Sequence, residues 1–428
     1  MLPVNIELVA AVVLVAIAAA ALSRSSQHLP PSQSRQGAMT GFRGLLALGV
    51  FLHHSFIWSH YVQGRGWLDA WGWHQFGESR VVLFFMLTST LFYGKLLDSR
   101  GRNFDWLRLY VSRVLRLGPA YWLAMSLMIA IVGYATVNHI DGAGDSLVKF
   151  NWWETLSQCA VWLTFSMFGM PSINGYFDTP LITAAVTWTL PYEVTFYMLL
   201  PLLALPLRVA MPAATLALGL VAAIWAAAWS PDPMICVPFI GGMAVAMLVR
   251  VPSVVKVLRL RASAAVAMAA MTAVFLLFPT VYAPVPLLML LFAMAVVASD
   301  NDLFGILRWR APQALGNWGY SLYLLHGIAL YTLFVLVIGL DRAKTFTGLQ
   351  YVAVICAYIP VVLTLAWASH RWVESPPMRA VPAVVAAIRK AMARGRTQER
   401  PAVAISLVAS AEPAKAESGS ALSARRAA

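Results

Sequence analysis

Arg43 and His54 lie eleven residues apart in the apolar run 41–60, which is long enough to cross a bilayer. Eleven residues make about three helical turns, so at roughly 100° per residue the two side chains share one face. His53 points about a quarter turn away. Ionisable groups at membrane depth are costly, which marks them as candidates for substrate handling or proton movement. A guanidinium is a rigid fork of donors suited to phosphate or carboxylate. An imidazole roughly 16 Å deeper on the same stripe can take and return a proton near neutral pH. Together they outline a tunnel with a charged mouth and a basic group at its end.

Two other apolar runs each carry one titratable group at similar depth. Glu193 follows Trp188-Thr-Leu-Pro-Tyr within the run 184–206, and His326 closes Gly319-Tyr-Ser-Leu-Tyr-Leu-Leu within 317–339. With successive spans alternating in direction across about 30 Å of hydrocarbon, His54 falls roughly 14–16 Å and Glu193 roughly 13 Å from the outer surface. His326 falls roughly 13 Å from the inner one. A buried carboxylate beside an imidazole fixes its tautomer and favours its protonated form, which suits a general base. Plainer roles compete with this. His53 and His326 can serve as interhelical hydrogen-bond donors, and Glu193 as packing glue or a proton relay. Arg113 and Arg116 can be topology anchors at the start of the span 117–135. His28, His60, His74, His139 and His370 lie in loops or at span ends and are expected to be solvated.

The elements that must position these groups are membrane helices. The 428 residues are 60% hydrophobic and only 11% charged, against about 25% charged in a soluble domain. The expected fold class is therefore all-α, a polytopic membrane bundle. The candidate core spans are 42–60, 81–97, 117–135, 184–206, 212–229, 234–250, 262–280, 283–299, 317–339 and 349–371. The net charge of +13 does not indicate a nucleic-acid partner. Its Lys and Arg residues sit mainly between spans and in the tail, as the positive-inside rule expects. Cys159, Cys236 and Cys356 lie far apart without metal or redox spacing.

Charge parity orders the bundle. The connections 95–116, 250–261 and 300–316, and the tail after Arg371, share one side, expected to be cytoplasmic, only if 156–170 does not span. Residues 136–183 then form one outer loop with a surface or re-entrant helix at 156–170. The connection 340–348, with Arg342 and Lys344, falls outside. This gives ten core helices plus one amino-terminal helix in 2–22, favoured over a signal peptide because no basic n-region precedes it. The expected domains are 1–39 (amino-terminal helix and cytoplasmic linker), 40–379 (membrane domain) and 380–428 (cytoplasmic tail). Within the tail, 381–395 is expected to be a basic amphipathic helix on anionic lipid, with disorder beyond.

Several stretches resemble the acyltransferase-3 family of integral membrane O-acyltransferases, over about Thr40 to Arg379. Phe42-Arg43-Gly44-Leu45 through His54 is similar to its first-helix pattern of an Arg followed by a His, and selects His54 over His53. Phe84-Phe85-Met86-Leu87-Thr88-Ser89, Arg113-Val-Leu-Arg116 before Pro119-Ala120-Tyr121-Trp122, and Tyr320-Ser321-Leu322-Tyr323-Leu324-Leu325-His326 match further patterns. Trp188-Thr-Leu-Pro-Tyr-Glu193 resembles another in which a second Glu follows. Val194 occupies that position here, so only Glu193 carries over. Glu374-Ser-Pro376 is a looser version of the family's closing Glu-Arg-Pro.

The resemblance implies transfer of an acyl group, often acetyl, from cytoplasmic acyl-CoA to a hydroxyl of a carbohydrate or other cell-surface acceptor. It implies no metal, a multi-pass location in the bacterial inner membrane, contact with membrane lipid, and envelope-polymer assembly partners. Arg43, Arg113 and Arg116 would hold the donor phosphates. His54 would act as base or take the acyl group, Glu193 would orient it, and His326 would help. The acceptor is expected to be guided by Trp152, Trp153 and Tyr176 of the outer loop. A proton-coupled transporter or flippase of a glycan or small anion is the alternative, because midplane ionisable groups also suit coupling. Against it, the chain lacks the matched broken helices common in transporters.

Overall fold

The computed structural model describes residues 37–67, 74–138, 140, 151–176 and 178–398. The expected amino-terminal helix in 2–22 and the far tail lie outside these residues. The chain divides into two compact units, Met1–Met378 and Arg379–Ala428.

Helices account for the described architecture: α1 Gly37–Val62, α2 His74–Asp98, α3 Trp106–Val137, α4 Trp152–Trp162, α5 Leu190–Ala204, α6 Ala213–Trp229, α7 Pro233–Leu248, α8 Pro252–Leu258, α9 Arg261–Leu277, α10 Pro284–Ala298, α11 Arg310–Tyr331, α12 Gly348–Ser369 and α13 Ser375–Gln398. Among the described residues the only β-type pairings are two isolated bridges, Asn103 with Ala210 and Ile173 with Tyr176. Six helical stretches are long and apolar enough to cross a membrane, and α7 with α8, bent by 107°, makes a seventh. Helices α6, α9 and α10 are apolar but shorter. Ile224, Leu277 and Leu288 on these three helices are exposed, as expected of side chains that face lipid. The fold is an all-α polytopic bundle. Each of the ten expected core spans falls on helix for most of its length, though the shorter ones leave their count as full crossings open.

The region 156–170 overlaps α4 only as far as Trp162; that helix has 11 residues, with Trp152 and Trp153 exposed, and is too short to cross a bilayer. The basic connections gather at one end of the bundle. Arg250 Nη2 meets Asp98 Oδ1 at 2.6 Å, and Trp106 Nε1 donates to the Ala210 carbonyl at 3.0 Å. Asn301 Nδ2 donates to the Leu258 carbonyl at 3.0 Å, and Gln313 Nε2 to the Gly37 carbonyl at 2.7 Å. Segment 381–395 lies within α13.

Helices α1 and α11 form the centre, with 67% and 72% of their apolar stretches inside the protein. They are the helices that carry His54 and His326. A Cβ on Gly44 would meet the Pro312 carbonyl oxygen at 2.2 Å, and one on Gly316 would meet that of Thr40 at 2.0 Å. Small residues at these positions let the two backbones touch, which draws the two histidines together.

One expected span is not continuous. Residues 184–206 begin with Ala184 and Ala185 in the left-handed region (φ 51° and 55°), then a 3-10 turn Val186–Thr189, and only then α5. Irregular backbone at membrane depth is tolerated where protein surrounds it or a cavity adjoins it. Here it lies against α11 at Gly327, where a Cβ would stand 2.3 Å from the Thr183 carbonyl carbon. Because the partner is backbone, Gly327→Val is expected to cost about 1–3 kcal/mol or more by overpacking, read as a lowered melting temperature in detergent. Gly133 of α3, with nothing within 4 Å of an added Cβ, is the control. Gly133→Ala is expected to be neutral or stabilising by up to about 1 kcal/mol.

Candidate active site

His54 and His326 are directly bonded. His326 Nε2 lies 3.1 Å from His54 Nδ1, with ring centroids 5.0 Å apart. The protons follow from the backbone. His326 Nδ1 is 3.0 Å from the Leu322 carbonyl oxygen. A carbonyl only accepts, so that nitrogen carries the hydrogen and Nε2 presents a lone pair. His54 Nδ1 is 3.0 Å from the Val50 carbonyl oxygen. It therefore also carries its hydrogen, shared between Val50 and His326. His54 Nε2 is left as an unprotonated acceptor, with no hydrogen bond among the described residues. The helices thus fix the tautomer of a base.

The surroundings of the pair are aromatic. Phe51 and Tyr323 approach His326, and the Trp67 ring stands 6.3 Å from that of His54 at 28°. Tyr61 donates to Asp178 Oδ2 at 3.3 Å. Of the outer-loop aromatics, Trp152 and Trp153 are exposed on α4, whereas Tyr176 is fully buried and bonded to Tyr331. The aromatic ring stacked nearest His54 is Trp67. No pattern in the sequence singles it out, because a turn after α1 folds it back.

A cavity of about 280 Å³ lies nearby, sharing Tyr323 with the surroundings of the pair. Arg43 of α1, Lys95 of α2, and Arg113 and Arg116 of α3 line it, together with Glu193, Tyr197 and Tyr320. Thr189 and Tyr323 also line it. Tyr323 joins the two regions, because its ring also edges His326 at 6.3 Å. The three arginines expected from sequence are therefore brought together. Lys95 was legible only as one basic residue of a connection. Arg113 lies over the rings of Phe92 and Tyr197, 4.8 and 5.9 Å from their centroids, contacts that orient a guanidinium.

Glu193 does not occupy the expected place. It accepts the Tyr197 hydroxyl, while both ring hydrogen bonds of His54 go elsewhere. The broken entry to α5 explains this. Segment 183–189 takes the level of Gly327 and Tyr323 on α11, with Tyr323 donating to the Val186 carbonyl at 2.7 Å. Glu193, in the first turn of α5, then falls beyond, among the cations of the cavity. Residue counting assumed an unbroken helix from 184.

His53 packs against α2. Its ring is T-shaped to His54 at 5.1 Å and stands where a Cβ on Gly77 of α2 would be, 2.4 Å from Nε2. His370, expected to be solvated, instead faces the fully buried Glu374, with Nδ1 3.2 Å from Oε2. Among the described residues no cluster of His, Cys, Asp and Glu is suited to hold a metal.

Apolar helices around a cationic cavity, with a pair of bonded imidazoles near it, describe a multi-pass membrane protein. The acyltransferase-3 family model, described as an acyltransferase domain, matches residues 36–371, well over half of the chain. The chain belongs to that family and is a membrane acyltransferase. Comparisons with curated proteins and with solved structures find no match.

Proposed function

We propose that the protein moves an acyl group, most simply acetyl, from cytoplasmic acyl-CoA to a hydroxyl of a cell-surface or exported carbohydrate. What supports this is the juxtaposition of the cationic cavity and the histidine pair: Tyr323 lines the cavity and its ring stands 6.3 Å from that of His326, which bonds His54. Arg43, Arg113, Arg116 and Lys95 would hold the phosphates of the donor. Arginine forks suit phosphate geometry, and lysine adds a point charge. The thioester arm would extend past Tyr320 and Tyr323. Glu193, with Tyr197, would offset the cationic wall and shape the passage rather than orient His54.

At the histidine pair the acceptor oxygen attacks the thioester carbonyl carbon while His54 Nε2 takes the hydroxyl proton. The new imidazolium keeps its Nδ1–H on His326 Nε2 and the Val50 carbonyl. The carbon–sulfur bond breaks, and the proton passes to sulfur, releasing the ester and coenzyme A thiol. Transient acylation of His54 Nε2 uses the same geometry. Trp67, its ring 6.3 Å from that of His54, offers a face on which a sugar ring can stack.

Purified protein mixed with coenzyme A and with acetyl-CoA labelled in the acyl group tests the reading. Saturable binding and slow thioester hydrolysis are expected. Absence of both would favour a carrier over an enzyme. Mass spectrometry of surface glycans from a deletion strain, beside its parent, would then name the acyl group and the polymer through the missing ester mass.

A further inference from the structure

Glu374 is a charged group that the proposed chemistry does not touch. It ends a π-helical turn, His370–Glu374, between α12 and α13, and its side chain is 0% exposed. Burying a carboxylate costs several kcal/mol unless other groups compensate. The groups facing it come from three elements. Ser321 of α11 donates to Oε2 at 3.0 Å. His370, one turn back, stands 3.2 Å from Oε2. Arg116 of α3 places Nη2 3.8 Å from Oε1, and Oε1 makes no hydrogen bond.

The distance to Arg116 decides what the contact does. At 3.8 Å the charges attract, but the N–H groups of the guanidinium are not spent on a closed fork. Arg116 also lines the cavity with Arg43, Arg113 and Lys95. Four cations repel one another, and Arg116, 22% exposed, would otherwise be free to turn away from them. We propose that Glu374 is a positioning residue: it tethers Arg116 at the wall of the cavity while leaving its donors open for a phosphate of the acyl donor. The hydrogen bond from Ser321 holds the carboxylate in place. This rests on the reading of the cavity as the donor site.

The test is a double-mutant cycle read as the dissociation constant for coenzyme A. Glu374→Gln keeps the size of the side chain and an acceptor for Ser321 but removes the charge. It is expected to weaken coenzyme A binding about tenfold, and Arg116→Ala by about the same or more. The double variant is expected to be no weaker than Arg116→Ala alone, because the tether has nothing left to hold. A general packing defect would persist in the Arg116→Ala background, so additive losses would overturn the proposal. Should Glu374→Gln not fold, Glu374→Asp takes its place in the same cycle. It retains the buried charge but draws it back from Arg116, and the same non-additivity is expected. Wild type that binds no coenzyme A would overturn both the donor-site reading and this one. Wild type that binds, with additive losses in the cycle, would overturn only the role of Glu374.

Discussion

Replacing His54 with alanine is expected to abolish acyl transfer, with a loss of about 10²–10⁴-fold if its role is proton transfer alone, and more if it also carries the acyl group. The expectation comes from the bonding pattern. Two backbone carbonyls, Val50 and Leu322, and one imidazole, His326, together leave a single lone pair, on His54 Nε2. Nothing else in the pair can take a proton without breaking one of these bonds. His326→Ala removes the acceptor that stabilises the imidazolium but leaves the Val50 carbonyl. Its loss is expected to be intermediate. His53→Ala deletes a ring packed on Gly77 and is expected to lower stability more than transfer. The measurement is label transferred from acyl-CoA at matched expression. A His54→Ala protein as active as wild type would remove His54 from the mechanism. Full activity of His326→Ala would show that the Val50 carbonyl suffices to hold the tautomer.

The second large effect is expected at the cavity. Each arginine that gives charge-assisted hydrogen bonds to a phosphate contributes about 1.5–3 kcal/mol. Arg43→Ala is therefore expected to weaken coenzyme A binding about ten- to a hundredfold, and Arg43→Ala with Arg113→Ala to weaken it further. Arg43→Lys is expected to restore only part, since a lysine cannot reproduce the planar fork. Added salt should weaken binding by the wild type more than by the double variant, because fewer charges are then left to screen. Unchanged affinity in Arg43→Ala, measured by titration of the purified protein, would place the donor elsewhere.

Much of the site could be read from residue types and spacing because helices translate spacing into direction. Arg43 and His54 occupy one stripe of α1 by periodicity alone, and Arg113 and Arg116 sit one turn apart on α3. The grouping of the basic connections followed from charge parity, and Arg250 beside Asp98 or Asn301 beside Leu258 shows those connections at one end of the bundle. Lys95 was missed as a site residue because a basic residue at a span end looks like an anchor until neighbouring helices close a cavity around it. Glu374 appeared only as part of a weak motif, since burial is decided by what packs on it.

Sequence by itself determined the all-helical membrane class and which helices carry the arginines and the paired histidines. These rest on hydropathy and on the helical repeat, which are local. Tertiary structure alone decided which groups meet. It replaced Glu193 with His326 as the partner of His54, because the Gly44–Gly316 contact joins α1 to α11 while the left-handed residues Ala184 and Ala185 delay the start of α5. Depth counted along an assumed straight helix cannot register a break, and a one-turn shift is enough to exchange one neighbour for another.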